Sequence, residues 1–262
     1  MTIPQIQNKK LGLVLSGGGV RGMAHIGMIQ ALGEYGIHPK IVSGSSVGAL
    51  VGALYANGNS IQDMLAFFKE TPLFKYNFLT ILKPGFIDTD KYFEIFKGYF
   101  PDNSFEALGR ELHVVATNLQ KGEEKFFSKG ELIMPLLASA ALPPVFSPVE
   151  LEGELYADGG IMNNFPLEPI KEKVDFTIGS NVSVVNNLYK NALKNSWQIT
   201  GRVTGLMIYA INRKKLDSCN LLFEYTELEK IGVLDRKGIE KAYQIGYENV
   251  IKRLEEIEKQ NG

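Results

Sequence analysis

Short apolar runs alternate with helical patterns along most of the chain. Residues 11–16, Leu-Gly-Leu-Val-Leu-Ser, are continuously apolar over a strand's length and read as a buried strand. A glycine cluster follows at once. Residues 23–35 then set Met23, Ile26, Ile29, Ala31 and Leu32 on or near one helical face, with Gly36 as C-cap. A second β-branched run, Ile41-Val42-Ser43, passes through Gly44-Ser45-Ser46-Val47-Gly48 into an Ala/Leu/Val-rich helical segment that ends near Asn57-Gly58-Asn59. Strands are expected at 111–118, 124–128, 174–180 and 220–225, and a hairpin pairs 149–151 with 154–157 around Glu152-Gly153. Helices are expected at 133–141, from Phe165-Pro166-Leu167, near 188–216 and at 237–259. In the last of these, Ala242, Ile245, Val250, Leu254 and Ile257 mark a docked scaffold element.

The texture differs between 60 and 105. Ser60-Ile61-Gln62-Asp63 reads as an N-cap with an acidic first turn. Phe67, Phe68, Phe74, Tyr76, Phe78, Phe86, Tyr92, Phe93, Phe96, Tyr99 and Phe100 then crowd a stretch that Pro72, Pro84 and Pro101 break into short helices. Two readings stand: an apolar cap over the site that lines an acyl-chain channel, or helices covering the sheet with core aromatics; most of these residues are expected to be core.

Composition narrows the picture by exclusion. At 262 residues with 45% hydrophobic and 22% charged residues, the chain can bury a full core as one large α/β domain or two small ones. No repeat or linker breaks it, so a single domain at 11–262 is expected, preceded by a polar tail at 1–10 and carrying a helical extension at 186–262. A formal net charge of -1 leaves no footprint for nucleic acid. Cys219 is the one cysteine and cannot form an internal disulfide, which suits a reducing, cytoplasmic setting. Cys219 and three histidines make no metal cluster, so no structural metal is expected. No apolar run approaches the roughly 20 residues that span a bilayer, so any membrane contact is expected to be peripheral.

The candidate chemistry begins at Gly44-Ser45-Ser46-Val47-Gly48, a G-x-S-x-G turn with a strand before it and a helix after it. Such a turn is sharp: it strains Ser46, exposes its side chain at the strand's C-terminal end, and sets it at the positive end of a helix. Gly44, Ser45, Val47 and Gly48 form the elbow. The same small residues also serve where a turn merely packs tightly on a sheet. Gly17-Gly18-Gly19-Val20-Arg21-Gly22 matches G-x-G-x-x-G, but the second strand ends in the serine turn without the acidic residue that a dinucleotide ribose needs. The other use of the loop is an oxyanion hole, with the amides of Gly18 and Gly19, and then Val20, as donors. Arg21 either supports that loop, meets an anionic head group, or is a solvated arginine.

A serine nucleophile needs a base. His38 lies in a helix-to-strand loop, His113 within a strand, and His25 on the helix behind the glycine loop; none follows Asp158, so a Ser-Asp-His order cannot be built around it. Asp158 stands at a strand end before Gly159 and Gly160, which permit close approach of another segment. An ordinary Asp value of about 3.9 makes it a weak base, so burial would have to raise it. Spacing alone equally fits a plain type I′ turn.

Gly17-Gly18-Gly19-Val20-Arg21-Gly22, Gly44-Ser45-Ser46-Val47-Gly48, Ala138-Ser139-Ala140-Ala141-Leu142-Pro143 and Asp158-Gly159-Gly160 together, in this order over 11–181, resemble the patatin-like phospholipase family, in particular its bacterial branch related to neuropathy target esterase. The resemblance implies a three-layer α/β/α sandwich with a mainly parallel central sheet and a Ser-Asp dyad that hydrolyses acyl esters of lipids. By position, it makes Ser46 the nucleophile, Asp158 the general base with Gly159 and Gly160 as the base turn, and the Gly17 to Gly22 loop the oxyanion hole. Many relatives carry Asp where this chain has Ser16, which removes no catalytic group. The expected activity is a serine esterase, phospholipase- or lysophospholipase-like, acting on a lipid or other acyl ester through an acyl-enzyme, with no metal or organic cofactor. The alternatives are an acyltransferase on the same dyad, or a lipid-binding or regulatory protein with vestigial catalysis.

Overall fold

The computed structural model describes residues 2–71, 89–143, 146–188 and 193–260. In chain order the main elements are α1 (Ile3–Gln7), β1 (Leu11–Leu15), α2 (Met23–Glu34), β2 (Ile41–Ser45), α3 (Val47–Asn57), α4 (Ile61–Glu70), α5 (Thr89–Tyr99), β3 (Glu111–Asn118), β4 (Glu123–Phe127), α6 (Ile133–Ser139), β5 (Val149–Leu151), β6 (Glu154–Asp158), α7 (Glu168–Lys171), β7 (Phe176–Asn181), α8 (Ser196–Leu216), β8 (Leu221–Glu224) and α9 (Ile239–Lys259).

The strands form one sheet in the order β5-β6-β3-β2-β1-β7-β8, with β4 also on β3. The run β3-β2-β1-β7-β8 is parallel, so the strands end along one edge; β4, β5 and β6 join antiparallel. Within β1, Leu11, Leu13 and Leu15 enter the core cluster that includes residues of α2, α3, α4 and α9, while Val14 faces Phe165, Ile170 and Leu216 on the other side. This is the expected α/β/α sandwich, with a mostly parallel sheet between helical layers.

One register decides where the site lies. β2 pairs with β3 up to Ser45 opposite Val115, and the next position of β3, Ala116, pairs with Asp158 of β6. Because β4 holds the other edge of β3 at 114–118, β6 takes over the edge that β2 vacates. The last residue of β6 therefore arrives where the chain turns out of β2.

Several elements follow their sequence signals. Ser60 Oγ accepts from Asp63 N–H at 3.1 Å, and the Asp63 carboxylate accepts from Ser60 N–H at 3.1 Å, a capping box that starts α4. Glu152 and Gly153, at φ 52° and 79°, turn the β5–β6 hairpin. Among the described aromatics, Phe67, Phe68, Phe96 and Phe100 are buried core, with Phe67 edge-on to Phe68, Phe96 and Tyr99. Phe74, Tyr76, Phe78 and Phe86 lie outside the described residues, and with them the cap reading.

Four expectations change. The polar stretch at 1–10 contains helix α1, opened by a Thr2–Gln5 capping box, and Ile3 and Ile6 are buried in the core. Of the helical stretch expected near 188–216, the described part is helical only from α8 onward, where Asn195 caps it by accepting from Gln198 N–H, and 189–192 lie outside the described residues. The helix expected from Phe165 is only the turn Glu168–Lys171. The 186–262 segment is also more than a helical addition: β8 extends the parallel sheet, and α9 buries Ala242, Gly246, Val250, Leu254 and Ile257. α9 lies directly on α2, where Gly27 and Gly246 bring the two backbones together.

Candidate active site

Ser46 follows β2 and caps α3 at φ 53°, ψ −128°, in the left-handed half of φ that side chains avoid. Neither flanking glycine has room for a side chain. A Cβ on Gly44 would stand 2.5 Å from the carbonyl oxygen of Gly48, and one on Gly48 would stand 2.6 Å from that of Ser16. The elbow is thus wedged between β1 and its own helix. Ser46 N–H is held by Ser139 Oγ at 2.9 Å, which fixes the turn from α6. Ser139 lay inside one of the four sequence blocks, but only the folded chain shows what it touches.

Ser46 Oγ donates to Asp158 Oδ2 at 2.5 Å. The other carboxylate oxygen, Oδ1, accepts from Gly160 N–H at 2.7 Å, and the Asp158 carbonyl accepts from Thr117 Oγ1 at 2.9 Å. Asp158 is buried, and burial raises its carboxyl from 3.8 to about 6 against the lowering effect of the bonds from Ser46 and Gly160. The segment is no type I′ turn: Asp158 has φ −46° and accepts from Gly160 at the start of a 3₁₀ turn, Gly159–Ile161. Gly159 is needed for close approach, since a Cβ there would reach Ser45 Oγ at 2.8 Å.

The glycine loop lies against the serine. A Cβ on Gly17 would sit 3.0 Å from Ser46 Cβ. Its amides divide sharply. Gly17 N–H donates to the Asn164 carbonyl at 3.3 Å and Val20 N–H to the Val233 carbonyl at 2.8 Å, so neither is free for a ligand. Among the described residues nothing accepts from Gly18 N–H or Gly19 N–H, at the start of the 3₁₀ turn Gly19–Gly22 that leads into α2. Arg21 donates to the carbonyls of Ile231 (2.8 Å) and Glu229 (3.4 Å), and burial lowers its pKa. It supports the loop. Gly22 is buried and gives close access to Val47. Of the six loop residues expected as an oxyanion hole, Gly18 and Gly19 thus have amides with no acceptor among the described residues, Gly17 and Val20 have theirs taken, and Arg21 and Gly22 support the frame by side chain and packing.

Polar residues to which sequence reading gave no role complete that frame. The Gly17 carbonyl accepts from Ser183 Oγ at 2.6 Å and from Asn164 Nδ2 at 3.4 Å. Ser16 Oγ accepts from Val182 N–H at 2.9 Å. His25 is fully buried beneath the loop, with Nε2 at 2.9 Å from the Ser16 carbonyl and Nδ1 at 2.8 Å from Ser180 Oγ. A carbonyl only accepts, so Nε2 carries the proton and Nδ1 accepts from Ser180, whose oxygen accepts in turn from Tyr225 at 3.1 Å. Burial lowers His25 to about 4, so the ring is neutral and both nitrogens are spent. His113 pairs with Glu111 at 2.7 Å near the start of β3, and His38 is exposed before β2. No histidine among the described residues contacts Ser46. Nor does any group of three His, Cys, Asp or Glu among them stand ready to hold a metal.

A parallel α/β/α sandwich with a serine elbow and a buried carboxylate at the strand ends defines the class. The profile of the patatin-like phospholipase family matches residues 13–171, and the chain belongs to that family. An uncharacterized NTE family protein of Mycobacterium tuberculosis is 36% identical over 166 residues, covering 62% of this chain and 45% of its own length. Lysophospholipase nte1 of Emericella nidulans is 26% identical over 91% of this chain and 18% of its own length. This chain therefore spans under half of either relative. VipD from Legionella pneumophila shares the fold at TM-score 0.54 and 17% identity, covering 94% of this chain and 67% of VipD. Human GIVD cytosolic phospholipase A2, solved with methyl gamma-linolenyl fluorophosphonate, shares it at 0.52 and 10%, covering 97% of this chain and 58% of its own.

Proposed function

We propose that the chain is a serine esterase that hydrolyses carboxylic esters of lipids, in the manner of a phospholipase or lysophospholipase. The observation that carries this reading is the 2.5 Å hydrogen bond from Ser46 Oγ to a buried carboxylate raised to about 6. Ser46 Oγ attacks the ester carbonyl carbon while its proton passes to Asp158 Oδ2. The carbonyl oxygen becomes an oxyanion, met by Gly18 N–H and Gly19 N–H and by the positive ends of α2 and α3. Collapse breaks the bond to the alcohol, which leaves with the proton held on Asp158, and the acyl group stays on Ser46. A water then gives its proton to Asp158 and adds to the acyl carbon; Ser46 leaves and recovers that proton. Gly160 N–H keeps the carboxylate aimed at the serine throughout.

Supporting this reading are family membership and a fungal relative named a lysophospholipase. The test is hydrolysis of p-nitrophenyl esters of graded acyl length, in the presence of a chelator. Wild type turns over, and Ser46→Ala and Asp158→Asn, folded by circular dichroism, fall at least about a hundredfold. Retained turnover in both folded variants would remove the dyad from the mechanism. Transfer of the acyl group to an added alcohol in preference to water would instead favour an acyltransferase.

A further inference from the structure

Helix α8 is amphipathic the wrong way round. The face turned to the protein is narrow and partly polar: Arg202 donates to the Asn186 carbonyl at 2.6 Å, Asn212 Oδ1 accepts from Phe165 N–H at 3.1 Å, and Leu216 is buried. The opposite face presents Ile199, Val203, Leu206, Met207 and Ile211, each between 42% and 63% exposed. These five recur at helical spacing and form one stripe, about 18 Å long at 1.5 Å per residue. A helix docked on a core and facing water would carry the reverse pattern.

Charge along the helix's own stretch of sequence has one sign, although Asp217 caps its C-terminus and Glu229 and Glu168 pair with Arg202 and Lys215. From 176 to 216 the sequence holds six Lys or Arg and no Asp or Glu, in a chain with 29 acidic residues. Lys194 lies just before the helix, and Arg213 and Lys214 lie in its last turn; all three are exposed and in no ion pair among the described residues. The stripe is thus bracketed by free cations at both ends. Its position is set by connectivity. α8 lies in the connection from β7 to the parallel strand β8, and its Arg202 pairs with Glu229, whose carbonyl accepts from Arg21 of the glycine loop, so this part of the helix lies on the side of the sheet edge that carries Ser46.

We propose that α8 docks the protein on the surface of a bilayer containing anionic lipid, its apolar stripe in the acyl boundary and its cations at the phosphates. No helix among the described residues is long and apolar enough to cross a membrane, so α8 lies in the interface. The inference rests on the esterase reading for its purpose, since docking brings the serine edge to esters that stay in the membrane. Its physical content is separate and is tested without catalysis.

The experiment is co-sedimentation of the Ser46→Ala chain with vesicles of phosphatidylcholine, alone or mixed with phosphatidylglycerol. The chain pellets with the mixed vesicles, less with phosphatidylcholine, and less at high salt. Val203→Asp with Met207→Asp, and separately Arg213→Glu with Lys214→Glu, weaken partition to mixed vesicles by roughly tenfold or more. The same pairs in the wild-type background leave hydrolysis of a short soluble ester unchanged. The proposal is overturned if the chain stays in the supernatant, if binding ignores anionic lipid, or if both pairs pellet like the parent. It is overturned equally if the stripe variants only convert a dimer to a monomer, which would make α8 an interface between two copies. Failure of the esterase reading looks different: vesicle binding persists while the soluble ester is untouched.

Discussion

Ser46 combines a hydroxyl that must point out of a tight turn with a backbone that only glycine adopts freely, φ 53° and ψ −128°. Such strain costs of order 1–3 kcal/mol. Ser46→Gly is therefore expected to be about 1 kcal/mol more stable than Ser46→Ala in urea titration, with both equally inactive. Asp158 imposes a second local cost. Its folded value of about 6 lies above the ordinary 3.8, so the folded chain holds this proton more tightly than the unfolded chain. Stability from this group falls as pH rises between those values, and the penalty is complete above about 6. Asp158→Asn should accordingly show a Tm at or above that of wild type near about pH 8, with the difference shrinking toward about pH 4. As the proposed base, Asp158 must be ionised to accept a proton, so kcat/KM should rise about tenfold per pH unit up to about 6 and then level.

At the scale of elements, the site depends on one strand ending as another arrives, and sequence could foretell the ends but not their meeting. The strand–turn–helix around Ser46 and the hairpin around Glu152-Gly153 were legible because glycine spacing and apolar runs are local signals. Gly18 and Gly19 were named as donors from their place in the loop, but that the Val20 amide is already taken was not legible. Val233 captures Val20 N–H and Asn164 captures Gly17 N–H from far along the chain, and nothing near Gly17 announces either contact. Helix α1 was missed for another reason: five residues are too few for a periodic pattern, and Ile3 and Ile6 read as isolated apolar positions. The α2–α9 contact offers a sharp test. A Cβ on Gly246 would come within 2.5 Å of Ala24 Cα, and one on Gly27 within 2.6 Å of Tyr247 N, backbone that cannot swing aside. Gly246→Ala should cost about 2–3 kcal/mol. Gly98→Ala in α5, with nothing within 4 Å of the added methyl, should be neutral or gain up to about 1 kcal/mol.

The molecule as a whole extends past its recognisable motifs. The family match ends at 171 and the last shared block at Gly160, yet β7 and β8 complete the sheet and α9 closes one helical layer. A chain ending before Asp235 should lose its cooperative thermal transition and precipitate, because it exposes the α2 surface that Ala242, Val250 and Leu254 cover. Acid acts on this assembly through two opposed buried groups. His25, lowered to about 4 from 6.5, stabilises fully above 6.5 and loses that contribution as pH falls toward 4. Over about 4 to 6 this loss is offset by the gain from protonating Asp158. Activity should therefore fade below about 6 while far-UV circular dichroism holds steady.

The neutral imidazole beneath the glycine loop also makes the protein self-reporting. His25 Nε2–H is fully buried and points at the carbonyl of Ser16, one peptide from Gly17. A proton so shielded exchanges slowly with water and resonates far downfield, clear of the amide envelope. An inhibitor that pulls on Gly18 and Gly19 would shift that single line, and a titration would read occupancy of the loop from within, with no label and no substitution.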